Sequence, residues 1–224
     1  MQLSWFQIVR LGLVQMCLGA IVVLTTSTLN RLMVVELSLA AVVPGMLVAL
    51  HYGIQLSRPK WGFASDAGGQ RTRWIIGGMI ALACGALMAT GAILIFPQSF
   101  ALGMGVSILA YALIGLGVGA SGTSLLALIA TTTAPHRRAG AATVTWLMMI
   151  FGIAVTAGTV GALLTPYTPA LLLEVVFTVT CAAILLTILA VWGVERRLIA
   201  VTEPDPTPFR DGLREVWSER PARN

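Results

Sequence analysis

An all-α membrane bundle of six spanning helices is the fold class this sequence predicts, on three observations. The chain is 57% hydrophobic and only 10% charged over 224 residues, where a soluble domain carries about 25% charged residues. Its apolar residues fall into six runs, each long enough to cross a bilayer, which takes roughly 20 residues. Its basic residues collect in alternate intervals between those runs, the charge pattern of a multi-pass membrane protein. A pI near 9.7 therefore reflects topology, and no nucleic-acid partner is expected.

The runs are 6–29, 33–55, 74–96, 103–132, 139–164 and 171–194. The opening MQLSWFQIVR resembles a signal peptide but lacks a small-residue cleavage site, so it reads as an uncleaved first helix. Asn30–Arg31 reads as a polar turn between the first two runs. Pro44 and Gly45 predict a kink in the middle of the second. Pro97 and Pro135 end the third and fourth, because proline cannot continue a helix. The fourth run exceeds what a bilayer needs, so tilt or projection is expected. Small residues recur at four-residue spacing, Gly115 and Gly119 in the fourth run and Ala154, Gly158 and Ala162 in the fifth, with Ala157 and Gly161 beside them. Such stripes let membrane helices pack closely.

Charge sets the orientation. Residues 1–194 hold eight Arg/Lys and three Asp/Glu, and residues 195–224 hold six of each. The interval 56–73, LSRPKWGFASDAGGQRTR, carries Arg58, Lys60, Arg71 and Arg73. The next even interval carries Arg137 and Arg138, and the tail begins with Arg196 and Arg197. These segments, and both termini, are expected in the cytoplasm. Beyond the bundle (1–194), the tail 195–224 reads as a linker. Phe209, Leu213 and Val216–Trp217 lie on one face of a short amphipathic helix over about 209–219.

Ionisable groups inside a bilayer are costly and so informative. Arg10 can snorkel to the interface. Glu36, near Arg31, reads as a local ion pair or a functional acid, and Glu174 as an interfacial group or one facing a cavity. His51 can offer a neutral imidazole lone pair to the magnesium of a chlorophyll, or simply satisfy itself at the interface. Cys17, Cys84 and Cys181 read as small buried apolar side chains. No Ser/His/Asp set, carboxylate pair, phosphate loop or metal-ligand spacing occurs, so neither an enzyme nor a metal site is expected.

Gly62-Phe-Ala-Ser-Asp66-Ala-Gly-Gly69-Gln-Arg71 resembles the loop signature between helices 2 and 3 of the major facilitator superfamily. Gly62 allows close packing at the helix end, Asp66 can accept backbone N–H groups at a helix N-terminus, and Gly69 allows a positive φ. Ala67 and Gln70 depart from the pattern. LTTSTLNRLMVVEL (24–37), the stretch 47–79, GTSLLALIA (122–130) and WLMMIFGIAVTAG (146–158) resemble the PucC/LhaA family, the bacteriochlorophyll-delivery branch of that superfamily.

The resemblance implies the N-terminal half of a major-facilitator-like fold with a 3+3 inverted repeat, in the inner (intracytoplasmic) membrane of a photosynthetic bacterium. It implies a light-harvesting assembly factor that holds or delivers bacteriochlorophyll as cargo, with no covalent cofactor, to antenna polypeptides. His51 is then the candidate pigment ligand. Rival readings are a proton-coupled transporter of a small solute and a pigment-free scaffold for antenna helices. ALIGLGVGASG (112–122) lacks the arginine common in that helix of transporters. The chain reaches Asn224 in what corresponds to the inter-half linker. The second half is therefore expected to be missing or supplied by another chain, along with the surface that the 56–73 segment would pack against. Membrane lipids are the remaining expected partner.

Overall fold

The computed structural model describes residues 2–67 and 70–194, with only the backbone of 66–67. The described residues are helical throughout, with no strand. Five helices are long and apolar enough to cross a membrane, which makes this a multi-pass membrane protein. The expected amphipathic segment 209–219 and Gly69 lie outside the described residues.

Helix α1 (Trp5–Val23) starts on a reciprocal cap. The Gln7 N–H donates to Ser4 Oγ, and the Ser4 N–H donates to Gln7 Oε1 at 2.8 Å, so two end donors are satisfied at once. A π-helical turn (Leu24–Thr28) leads into α2 (Leu29–Val35), and the three pieces form one rod of 31 residues. The turn expected at Asn30–Arg31 does not form there. The chain reverses over 36–41 instead, where Ser38 takes a φ of 52°. The reason is a distant partner. The Tyr111 hydroxyl, fully buried, donates to the Thr25 carbonyl at 2.7 Å and lies 3.3 Å from Asn30 Oδ1. A π turn disturbs the regular ladder, and Tyr111 takes up a polar group that would otherwise be unmet in an apolar interior.

Helix α3 (Val42–Gln55) has 14 residues, about 21 Å at 1.5 Å per residue. That is less than the roughly 30 Å hydrocarbon thickness. Pro44 falls in its first turn, where a missing N–H costs nothing, so the expected mid-helix kink has no place. The interval read as a polar loop contains a helix, α4 (Arg58–Ala67). Three long helices follow: α5 (Arg71–Ile95), α6 (Phe100–Thr132) and α7 (Arg138–Leu163). Ser99 caps α6, and a short 3-10 turn (Pro135–Arg137) precedes α7. Helix α8 (Pro169–Val191) begins with proline behind a Thr168 cap, the Leu171 N–H donating to Thr168 Oγ1 at 3.2 Å.

Helices α5 and α6 pack most intimately, with α8 on the outer side of α5 and α3 on α6; α1 sits between α7 and α8. The contacts are made backbone to backbone. A Cβ on Gly78 would lie 2.5 Å from the Ser121 nitrogen, and one on Gly117 would lie 2.5 Å from the Leu82 nitrogen. At the α1–α7 contact, a Cβ on Gly152 would strike the Met16 carbonyl. Arg10 reaches across to the end of α8. Its guanidinium donates to the Leu189 carbonyl and, at 2.6 Å, to that of Trp192, a cation at a helix C-terminus. Two sequence expectations need correction. Gly158 and Gly161 of the α7 stripe meet nothing within 4 Å, and the close packing of α7 is made at Gly152 instead. Cys17 is buried, but Cys84 and Cys181 are exposed.

Gly78→Val is expected to destabilise the bundle by about 1–3 kcal/mol, the cost of overpacking. Gly158→Ala is expected to stay within about 0.5 kcal/mol of the parent. Thermal unfolding of the two variants in the same detergent checks the contrast.

Candidate functional site

Two polar assemblies interrupt the apolar bundle. The first lies where α3 and α4 meet α6. His51 and Gln55 lie one turn apart at the end of α3 and Arg58 opens α4, and their side chains form a chain of hydrogen bonds. Arg58 Nη2 donates to Gln55 Oε1. Arginine has only donors, so the Gln55 oxygen must face it and the amide nitrogen must face His51. Gln55 Nε2 therefore donates to His51 Nε2, at 2.7 Å. An imidazole nitrogen that accepts carries no proton, so His51 is held neutral with its proton on Nδ1. That Nδ1 is buried with no partner, and the whole residue is 0% exposed.

The seat for this chain is made of glycine. A Cβ on Gly115 would lie 2.7 Å from the His51 carbonyl, and one on Gly119 would lie 3.4 Å from the Trp61 ring. The stripe predicted in this helix is thus what brings α3 and α4 against α6. Trp61 Nε1 donates to Ser57 Oγ at 2.9 Å, and the Trp61 and Trp74 rings lie 5.7 Å apart. The lone pair that would take a pigment magnesium is thus occupied by Gln55. Ligation would require that bond to break and the α3–α6 contact to open.

The loop signature divides. Gly62 approaches α6, where a Cβ would lie 3.3 Å from the Thr123 methyl. Arg71 reaches the same helix, donating to the Ala127 carbonyl at 3.2 Å and to Thr131 Oγ1. Asp66 is the penultimate residue of α4, not the first of a following helix.

The second assembly is a cavity of about 230 Å³ between the α1–α2 rod and α7, near the end opposite α4. Thr28, Arg31 and Glu36 line it from one side, Ala157 and Gly161 from α7, and Tyr167 from the loop before α8. The expected Arg31–Glu36 ion pair is absent, and neither side chain closes an ion pair among the described residues. Burial, and secondarily the Glu36 carboxylate, hold the Tyr167 phenol above its ordinary range, so it remains an O–H donor. Glu174 stands apart, exposed in the second turn of α8. Among the described residues no three His, Cys, Asp or Glu gather as metal ligands.

Sequence reading singled out His51 and Glu36 but missed their partners. The i, i+4, i+7 spacing of His51, Gln55 and Arg58 could have given the first chain. Nothing local pairs Glu36 with Tyr167, or Thr25 with Tyr111.

A family model described as "PUCC protein" matches residues 28–224. Over its whole length the chain is 62% identical to the "Bacteriochlorophyll synthase 44.5 kDa chain" of Rhodobacter capsulatus, covering 52% of that protein. It is 34% identical over 236 residues to "Protein PucC" of Cereibacter sphaeroides, which takes in 99% of this chain and 51% of that one. It is 31% identical over 201 residues to a "Protein PucC" of Rhodobacter capsulatus, 84% of this chain and 44% of that one. The chain spans about half the length of the curated relatives it matches. No solved structure matches.

Gln55→Ala removes the acceptor of Arg58 and the partner of His51 Nε2 together. It is expected to cost about 1–3 kcal/mol, the price of unmet buried polar groups, read by thermal unfolding against Ser57→Ala as a milder control.

Proposed function

The chain belongs to the PUCC protein family, and from that premise we propose that it serves assembly of the photosynthetic apparatus by holding or delivering bacteriochlorophyll to light-harvesting antenna polypeptides. The observation that carries this reading is the 62% identity over the whole chain to a protein whose name joins it to bacteriochlorophyll. The family match over 28–224 supports it. The reading takes the protein as a carrier or assembly factor and not a catalyst, even though the relative's name includes the word synthase.

The proposed architecture is six spans, with α3 as the short second one, forming the first half of a major-facilitator-like fold with a 3+3 repeat. The basic end, with α4 and Arg137–Arg138, faces the cytoplasm by the positive-inside rule, as do both termini. The membrane is the bacterial inner, intracytoplasmic one. In this reading a second half, from the same protein or another chain, completes the working unit. His51 serves the pigment either as its ligand, once Gln55 lets go, or by positioning the α3–α6 corner.

One observation favours a second reading, a scaffold for antenna helices that never touches pigment. The outer half of α7 presents Ala154, Ala157, Gly158 and Gly161 exposed, a surface suited to a close helix neighbour. No comparable feature favours a proton-coupled solute transporter.

Protein extracted gently from a pigment-making host is expected to carry bacteriochlorophyll absorbance, and His51→Leu to reduce it. Colourless protein that still co-purifies with antenna polypeptides, from both pigmented and pigment-free strains, would move the assignment to the scaffold.

A further inference from the structure

The cavity between the α1–α2 rod and α7 is too small to enclose a pigment. Sites for drug-sized ligands start near 300 Å³, and this one is about 230 Å³, too small for a tetrapyrrole. Its lining places an exposed cation and an exposed anion at one opening without pairing them. Arg31 and Glu36 both line it, and no ion pair joins them. A ligand that engages both at once is best served by carrying both charges itself. A purely anionic group would leave Glu36 facing like charge, and a purely cationic one would do the same to Arg31.

The rest of the lining narrows the choice. Leu32 and Val35 make the α2 wall apolar, and Leu164 adds apolar surface at the end of α7. The cavity continues at Gly161 onto the exposed small-residue face of α7, where Gly158 and Gly161 meet nothing within 4 Å. A soluble zwitterion would have no use for that wall, whereas a lipid would use both parts. We propose that the cavity holds the headgroup of a phosphatidylethanolamine, its phosphate on Arg31 and its ammonium on Glu36, with an acyl chain along the small-residue face of α7. The guanidinium fork suits phosphate oxygens. The Thr28 and Tyr167 hydroxyls supply neutral donors beside it. A primary ammonium donates hydrogen bonds to the Glu36 carboxylate, and the methylated ammonium of phosphatidylcholine has none to give.

The test uses the full chain reconstituted in nanodiscs of equal parts phosphatidylethanolamine, phosphatidylcholine and phosphatidylglycerol, with retained lipid read by native mass spectrometry. Phosphatidylethanolamine should be enriched over both others. Arg31→Gln should lower its retention about tenfold, the scale of one charge-assisted hydrogen bond, and Arg31→Lys should restore part of it. Glu36→Gln should abolish the preference over phosphatidylcholine, and it carries the test if Arg31→Gln does not fold. Gly161→Leu, which fills the groove but leaves both charges, should also lower retention. Retention that follows bulk composition, or that is unchanged in the Arg31→Gln/Glu36→Gln double variant, would overturn the proposal. Displacement of the lipid by free phosphoethanolamine at equal affinity would overturn the lipid as the source.

Discussion

The near-contact of α5 and α6 is what the rest of the bundle hangs on. In a membrane, apolar side chains gain little by leaving lipid for protein, so helices associate through close packing and hydrogen bonds. Gly78 and Gly117 let the two backbones meet where any side chain would hold them apart. The far side of α6 then carries α3 and α4, again through glycine, at Gly115 and Gly119. Helix α8 packs on α5, and α1 joins it to α7. The Arg10 clamp on the last carbonyls of α8 closes that second group.

Much of this was legible in the sequence, and what was not has a common cause. Four long spans fall within a few residues of the apolar runs, because length and hydropathy are local properties. The first reversal was misplaced because Asn30 and Arg31 read as a polar break, while the residue that makes Asn30 acceptable in a helix is Tyr111 on α6. Helix α4 was hidden by proline, lysine and arginine, although Trp61 and its contact with Gly119 show which face it uses. At the candidate site, His51 stood out as a lone intramembrane imidazole. Its neutral state, however, depends on which way Gln55 turns, and that is decided by Arg58. Glu36 reads from the sequence as the partner of its neighbour Arg31, but the two share a cavity without forming an ion pair, and the field of the carboxylate reaches Tyr167 as well.

The two polar assemblies differ in kind. The His51–Gln55–Arg58 chain is closed at its inner end, where His51 and Gln55 are buried under α6 and only His51 Nδ1 is unmatched, and Arg58 carries it out to the surface. The Arg31–Glu36 cavity is open, with both charged residues exposed at it. A closed chain holds a corner of the fold in one arrangement, and an open one waits on something brought from outside. The two ends of this bundle are therefore not equivalent in their chemistry.

Helix α7 exposes Trp146, Leu147, Ile150 and Phe151 around its middle, and Ala154, Ala157, Gly158 and Gly161 further on, with the bulk of Val155 and Leu163 between and beyond them. Its outward face is thus notched, with bare backbone set between large side chains. A neighbouring helix can come close only where its own bulk falls into those notches, so the face of α7 selects the register of whatever lies against it.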